Sequence, residues 1–237
     1  MENLLLIASG KGTDAAAIME AWKQGMIPEV RNIVLVSTKA GAGCLDKATA
    51  CGVEAITLPV SVPLTPSGKM ELQLQLLNVC QQHDIGLIFL VGCNVVLPVI
   101  PGIPMYNIHP ACPILHGGKG MHGLKVHKHV LRFFLDEIAR GKKELFISRF
   151  FTYPTVHEVT AKPDDGEFLL QGIVEIPSDL LEMAQRDESS LDESSLWSIP
   201  AGCLQEIVLP NEWMMLPVAV RMAIARIETR HSDSLRK

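Results

Sequence analysis

The sequence predicts an α/β protein with a mainly parallel, Rossmann-like central sheet and an antiparallel addition in the C-terminal half. Through the first half, short runs rich in Val, Ile and Leu alternate with longer amphipathic segments, as in strand–helix–strand units. The runs are apolar almost throughout, which is typical of parallel strands covered on both faces. Late in the chain, two strand patterns follow each other without an intervening helix, and this order predicts the antiparallel pair.

Three central strands are predicted at Leu4–Ala8, Asn32–Val36 and Leu87–Val91. Between them, Thr13–Trp22 and Met70–Cys80 carry apolar residues at helical spacing, so both suit crossover helices. With 237 residues, the chain is expected to form a single domain, 1–237.

The second half begins with Gly102–Gly123, which is dense in Gly, Pro and His and is therefore predicted to be a loop region. A helix follows at Val126–Ala139, and the two consecutive strands are Thr155–Val159 and Phe168–Ile176. Loops of the size of Gly102–Gly123 usually carry function.

The C-terminal part combines a polar segment with a final helix. Ser178–Ser198 is rich in Ser, Glu and Asp, and we expect a solvated surface insert over 178–202. The last helix is predicted over Asn211–Thr229, with Pro217 kinking it or marking a restart.

The composition excludes several classes of partner. With 21 basic and 26 acidic residues the net charge is −5, which repels phosphate polymers, so nucleic acid is not an expected partner. No export signal is visible, and no apolar stretch is expected to reach the roughly 18–20 residues that a membrane span needs. Six cysteines without a C-x-x-C pair indicate reduced thiols and a cytoplasmic location.

A metal site is not expected. Four histidines lie across a glycine-rich turn and a helix start, but without a firm ligand spacing. They are His116, His122, His127 and His129.

The segment Ser9–Asp14 follows the first strand, opens the first helix and reads SGKGTD. Backbone N–H groups and the positive helix end make such a turn an anion site, and phosphate is its natural occupant. It is not an ATP-binding P-loop, which would need Gly at Leu5. It does fit a loose dinucleotide fingerprint, but Ser37–Lys39 follows the second strand where NAD enzymes have an acidic residue. An NADP enzyme, or a plain chain-reversing turn, stays open.

A second candidate is Asn107 and His109, two residues apart on an extended segment and therefore on one side of it. An amide can donate to a developing oxyanion and an imidazole can move protons, so together they suit acyl transfer. A third is the turn Lys162–Gly166 after Thr155–His157, which could aim the Asp164 carboxylate at the end of the sheet. Both patterns also occur as ordinary structural pairs and solvated turns.

Read in order, these motifs resemble the glycinamide ribonucleotide formyltransferase family along most of the chain. Ser9–Asp14 is similar to its S-G-x-G-[ST]-N loop, and Asn107–Pro110 to its N-[IL]-H-P. Gly117–Gly123 resembles the G-G-K-G-M-Y-G turn of one branch. Thr155–His157, with Asp164 and Gln171, resembles its T-[IV]-H strand, D-x-G loop and closing glutamine. Asn211–Pro217 resembles its Q-E-H-x-x-[YL]-P helix start.

The resemblance implies a formyltransferase fold and a folate-dependent enzyme of purine biosynthesis that uses 10-formyltetrahydrofolate, no metal and small-molecule substrates, as a monomer or a homodimer. Residues 1–100 would form its phosphate-binding half and 101–230 its catalytic and folate-binding half. Asn107, His109 and Asp164 would be catalytic. The implied substrate-binding residues are Gly10, Gly12, Thr13, Asp14 and Glu212. The implied folate-binding residues are Lys69, Asn94, Val95, Val96, Leu97 and Asn107.

Two departures from the family leave the acceptor amine open. Asp14 replaces an Asn in the phosphate loop and places a carboxylate where a dianion should bind, unless Asp14 turns away as a helix cap. Arg132–Tyr153 and Ser178–Gly202 also look longer than the family's connections. A formyltransferase acting on another amine, such as an amino sugar nucleotide, is therefore the alternative, and an NADP-binding oxidoreductase or a silent folate-binding module is a third.

Overall fold

The computed structural model describes residues 1–61, 63–140, 149–187 and 197–234. Its secondary structure, in chain order, is β1 Glu2–Ala8, α1 Thr13–Lys23, β2 Val30–Ser37, α2 Gly43–Cys51, β3 Glu54–Thr57, α3 Pro66–Gln82, β4 Ile85–Leu90, β5 Met105–His109, α4 Pro113–His116, α5 Leu124–Ala139, β6 Phe150–Thr152, β7 Thr155–Glu158, β8 Phe168–Gln171, β9 Val174–Ile176, α6 Ser178–Asp187 and α7 Ser198–Ser234.

The chain divides into two compact units. The first comprises Met1–Ile108, Val156–Leu170 and Trp213–Lys237, and the second comprises His109–Thr155 and Gln171–Glu212. These boundaries do not follow the division near residue 100 that the sequence suggests. That 1–237 forms a single domain stays a prediction.

The first unit is built on a seven-stranded sheet in the order β3-β2-β1-β4-β5-β7-β8. The first five strands pair in parallel, with Leu4–Ala8 in register with Ile33–Ser37 on one side and Leu4–Ile7 with Leu87–Leu90 on the other. Chain order reverses beside β1, because β2 lies on one side of it and β4 on the other. The loops that follow β1 and β4 therefore start next to each other, at the carboxyl edge of the sheet.

The sheet is apolar on both faces, as the unbroken Val, Ile and Leu runs predict. Leu4 and Leu6 belong to a core with buried residues of α1, α2 and the C-terminal part of α7. Leu5 and Ile7 point the other way, into a core with α3. Burial on both faces holds the ends of these strands in fixed positions, which is what a site at their carboxyl edge requires.

The antiparallel addition predicted for the second half is present. β7 and β8 form a hairpin in which Glu158 N–H donates to Glu167 O at 2.9 Å, and Val159 N–H donates to Met105 O of β5 at 2.8 Å. The predicted strand Phe168–Ile176 is two strands, however. β8 extends the large sheet, whereas β9 pairs antiparallel with β6.

The second unit contains α4, α5, α6, the β6–β9 pair and the first part of α7. Its apolar core includes Val130, Phe150, Leu181, Trp197 and Leu204. The surface insert over 178–202 stays a prediction, and α6 within it is amphipathic, because it buries Leu180, Leu181 and Ala184 in this core while its described polar side chains are exposed. Residues 141–148 and 188–196 of the two long connections lie outside the described residues.

The final helix is longer than predicted. α7 runs unbroken through Pro200, Pro210 and Pro217, so the predicted restart at Pro217 was wrong. A stretch of α7, Ser198–Arg230, is long and apolar enough to cross a membrane, with a mean hydropathy of 1.3 in its best window and 44% of that window buried. The expectation that no stretch reaches this length was therefore also wrong. Core helices pass the same test, and α7 contributes buried residues to the cores of both units.

Candidate active site

The turn between β1 and α1 has the backbone of an anion site. Gly12 is the N-cap of α1 with a left-handed backbone, φ 72°, and no side chain caps the helix. The first N–H groups of a helix lack partners within it, so those that open α1 can receive an anion. Cys44 of α2 packs on the turn, its N–H donating to Gly10 O at 3.1 Å. A Cβ at residue 12 would overlap Cys44, whereas one at residue 10 would meet nothing.

Asp14 does not cap the helix, so that interpretation of the departure from Asn was wrong. Its side chain is buried beside Gly92, with Oδ2 3.9 Å from where a Cβ on Gly92 would stand. In the described part of the chain, Oδ1 has no hydrogen-bond partner. Burial raises the pKa of Asp14 to about 6, and a weak interaction with the Trp213 side chain, whose N–H makes no hydrogen bond of good geometry, partly offsets the rise.

Asn107 and Asp164, two of the three predicted catalytic residues, lie around a shared partner in the first unit. His157 Nε2 is 3.2 Å from Asn107 Nδ2 and 3.5 Å from Asp164 Oδ1. The His157 and Asp164 side chains are only 2% and 13% exposed, so water screens their interaction little. β5 and β7 position Asn107 and His157, and the loop after β7 brings Asp164 back to them.

The loop that carries Asp164 is held at both ends. The Glu158–Glu167 backbone bond closes it, and buried Gly166 lies so close to Glu158 O that no side chain would fit. Asp164 itself has a left-handed backbone, φ 57°, which few residues besides Gly, Asn and Asp adopt. Such backbones cost energy and cluster at functional sites.

The hydrogen bonds of His157 constrain its protonation. Nδ1 is 3.0 Å from Glu158 O, so we assign a proton to Nδ1. In the neutral ring, Nε2 then accepts from the Asn107 amide. A protonated ring would instead donate from Nε2 to the Asp164 carboxylate. His157 therefore links an amide and a carboxylate through one ring nitrogen, and its charge decides which partner it favours.

His109, the third predicted catalytic residue, ends β5 and is 3% exposed. Its Nδ1 is 3.1 Å from Ala111 O. Burial, followed by the charge of His109, lowers the pKa of His127 to about 4. Burial and the charges of His129 and His109 lower that of His116 to about 4. At neutral pH both neighbours are uncharged.

The other predicted site residues are spread over the fold. Lys69 is exposed in the first turn of α3, and Asn94–Leu97 lies in the loop after β4. In that loop Asn94 and Val96 are exposed, whereas Leu97 packs in the core with α3. Glu212 is buried on α7. Their binding roles stay predictions.

Sequence reasoning placed His157 in a motif but gave it no role at the site. The signal was available, since His157 lies on a strand next to the Asn107 segment. The register that pairs them is visible only once β7 runs antiparallel to β5. Among the described residues, no three or more His, Cys, Asp or Glu come together as metal ligands.

Comparison with known proteins relates this geometry to one family. No family model matches the chain. It is 28% identical over 204 residues to the chloroplastic phosphoribosylglycinamide formyltransferase of Arabidopsis thaliana, which covers 80% of the chain and 62% of that protein. It is 30% identical over 179 residues to the Vigna unguiculata protein of the same name, covering 74% of the chain and 52% of that protein. The chain thus spans less than two thirds of both relatives.

Similarity to solved structures extends over more of the chain. Glycinamide ribonucleotide transformylase 1 from Symbiobacterium toebii superposes with a TM-score of 0.66 at 24% identity, covering 93% of this chain and 86% of that one. The protein of the same name from Geobacillus kaustophilus gives 0.65 at 22% identity, covering 94% and 98%. The chain has the phosphoribosylglycinamide formyltransferase fold. The fold expected from the resemblance is therefore confirmed.

The turn between β1 and α1 yields a stability prediction. We expect Gly12→Ala to lower the free energy of unfolding by roughly 2–4 kcal/mol, because alanine adds both a strained backbone and an overlap with Cys44. Gly10→Ala is the matched control and should change it by less than about 1 kcal/mol. Urea unfolding of the three proteins measures both values, and equal stability of the two variants would contradict the close packing described.

Asp14 yields a prediction about pH. Its folded pKa, about 6, lies above the value of 3.8 for an exposed Asp, so the folded chain binds more protons between them and loses stability as the pH rises through this window. Asp14→Asn removes this loss. We expect the stability of Asp14→Asn relative to the natural chain to grow by about 2 kcal/mol between pH 4 and pH 7. Thermal unfolding across this range tests it, and a constant difference would show that Asp14 is not held in an apolar environment.

Proposed function

We propose that the chain transfers the formyl group of 10-formyltetrahydrofolate to the amine of glycinamide ribonucleotide, a reaction of purine biosynthesis. The observation that carries the proposal is the cluster of Asn107, His157 and Asp164 around one imidazole nitrogen, in a formyltransferase fold and beside a chain segment that matches the family's catalytic motif. The names of the curated relatives and of the superposed structures support the same activity.

The reaction is an acyl transfer between two nitrogens. The acceptor amine attacks the formyl carbon, a C–N bond forms, and the carbonyl oxygen becomes an oxyanion. The bond from that carbon to N10 of the folate then breaks, and the proton lost by the amine is delivered to N10. The site must therefore stabilise an oxyanion and carry a proton.

Asn107 and His109 suit these two tasks. The Asn107 Nδ2 group is a neutral donor already oriented by His157, so little reorganisation is needed when it stabilises an oxyanion. His109 ends β5, its Nδ1 lies against a backbone carbonyl, and its imidazole would carry the reacting proton. Asp164 would stabilise positive charge that develops on an imidazole during the transfer. The ribonucleotide phosphate would bind the N–H groups at the start of α1.

A second candidate acceptor follows from Asp14. A buried carboxylate whose Oδ1 has no hydrogen-bond partner among the described residues is an unusual neighbour for a phosphate dianion, and it opposes the binding that an Asn would assist. A formyltransferase whose acceptor is another amine, such as an amino sugar nucleotide, would be less affected. We further propose a cytoplasmic location, which the six free cysteines favour, and a monomer or a homodimer.

The decisive experiment measures the release of tetrahydrofolate from 10-formyltetrahydrofolate in the presence of glycinamide ribonucleotide. We expect turnover that falls by roughly 10²–10⁴-fold in His109→Ala, because the proton carrier is lost. His83→Ala, which removes a histidine at the far end of α3, should stay within about 2-fold. Absence of turnover with active substrates would reject the acceptor, and turnover with an amino sugar nucleotide in its place would establish the second candidate.

A further prediction concerns His157 as a positioning residue. We expect His157→Ala to lower kcat by roughly 10–100-fold, because the Asn107 amide and the Asp164 carboxylate both lose a buried partner. His157→Gln should recover part of the loss by offering an amide near the position of Nε2. In combination with Asn107→Ala, His157→Ala should lower kcat by less than it does alone, because the contact between the two side chains is already lost. Full additivity of the two effects on kcat would contradict this role.

A further inference from the structure

Three small polar side chains meet at the carboxyl edge of the sheet in the first unit. Ser9 follows β1, Thr38 follows β2 and Cys93 lies in the loop after β4. Ser9 and Thr38 are 8% and 3% exposed, so their hydroxyl groups must find partners within the protein. None of the three has a role in the proposed reaction so far.

The distances among them define a hydrogen-bonded chain. Ser9 Oγ is 2.6 Å from Thr38 Oγ1, 3.1 Å from the Asn94 backbone nitrogen and 3.7 Å from Cys93 Sγ. Cys93 Sγ is in turn 3.6 Å from Val95 O. Burial raises the pKa of the Cys93 thiol, which therefore keeps its proton.

One assignment of protons gives every side chain in this set of hydrogen bonds a donor or an acceptor as its partner. Thr38 O–H is assigned to the 2.6 Å contact with Ser9 Oγ rather than to the longer 3.5 Å contact with Ala8 O. Asn94 N–H donates to the second lone pair of Ser9 Oγ, and Ser9 O–H donates to Cys93 Sγ. The Cys93 S–H then donates to Val95 O. Each hydroxyl or thiol group thus donates once, and Ser9 is the member on which the other bonds converge.

These hydrogen bonds connect two segments of the protein that would bind different substrates in the proposed reaction. Ser9 begins the turn that presents the α1 N-terminus to a phosphate, and its own N–H donates to Gly92 O at 3.1 Å. Asn94 and Val95 belong to the loop that the resemblance implies for folate binding. That loop contains neither helix nor strand, so side-chain bonds such as these have to define its shape.

We propose that Ser9 and Cys93 are positioning residues that shape the Asn94–Leu97 loop for the folate and, through Ser9, hold it to the phosphate-binding turn. This inference rests on the proposed function. We expect Cys93 to act on the folate side, because it directly precedes this loop and its S–H donates to Val95 O within it. Ser9 acts on both sides, because it belongs to the turn and anchors the loop. A purely structural role would lower stability without separating the two substrates.

The test compares KM for each substrate, kcat and the melting temperature in four variants. Cys93→Ala should raise the KM for 10-formyltetrahydrofolate about 3–10-fold, the effect of about one hydrogen bond, and leave the KM for glycinamide ribonucleotide within about 2-fold. Cys93→Ser, which keeps a donor, should restore most of the loss. Ser9→Ala should raise both KM values by about 10-fold, with kcat changed by less than about 3-fold.

Thr49→Ala is the control, since it removes a hydroxyl that bonds Leu45 O on the exposed face of α2. It should change neither KM. If Cys93→Ala and Cys93→Ser both behave like this control while the natural chain is active, the inference is overturned and the proposed function stands. If the natural chain neither turns over nor binds the folate, both are overturned. Should Ser9→Ala fail to fold, the Cys93 pair alone gives the decision.

Discussion

The reversal of chain order beside β1 is the constraint on which the rest of the molecule depends. Parallel strands place all their carboxyl ends on one edge, and the reversal separates the crossover helices onto opposite faces. The turn after β1 and the loop after β4 therefore begin side by side without a helix between them. This arrangement allows the proposed phosphate site and the proposed folate-binding loop to share one edge of the sheet.

The central strands and their helices could be predicted because burial on both faces leaves a simple apolar pattern. β5 could not, since its flanks are dense in Gly and Pro and its five residues include Asn107 and His109. The polar composition of Ser178–Asp187 did not reveal that this segment is a helix whose Leu180, Leu181 and Ala184 are buried. The length of α7 could not be predicted because three prolines lie within it. Tertiary packing outweighed local propensity in each case.

The individual site residues were easier to predict from the sequence than the contacts between them. Motifs indicate which side chains are present, but the distance from Asn107 to His157 depends on a register between strands that are far apart in the chain. The same holds for Asp14, whose burial depends on Gly92 and Trp213. Ser9 contacts Thr38, and Asn107 contacts His157, so each of these side chains is positioned by another polar group.

The left-handed backbone of Asp164 restricts which residues can replace it. Only Gly, Asn and Asp enter this conformation at low cost, so random substitution has few viable outcomes there. Asn preserves the shape of the loop and removes its negative charge, and Gly removes the side chain altogether. Any other residue would strain the backbone of the loop, whatever the chemistry of its side chain. The backbone conformation thus limits this position to a few residue types, and Asp is the one among them that carries a charge.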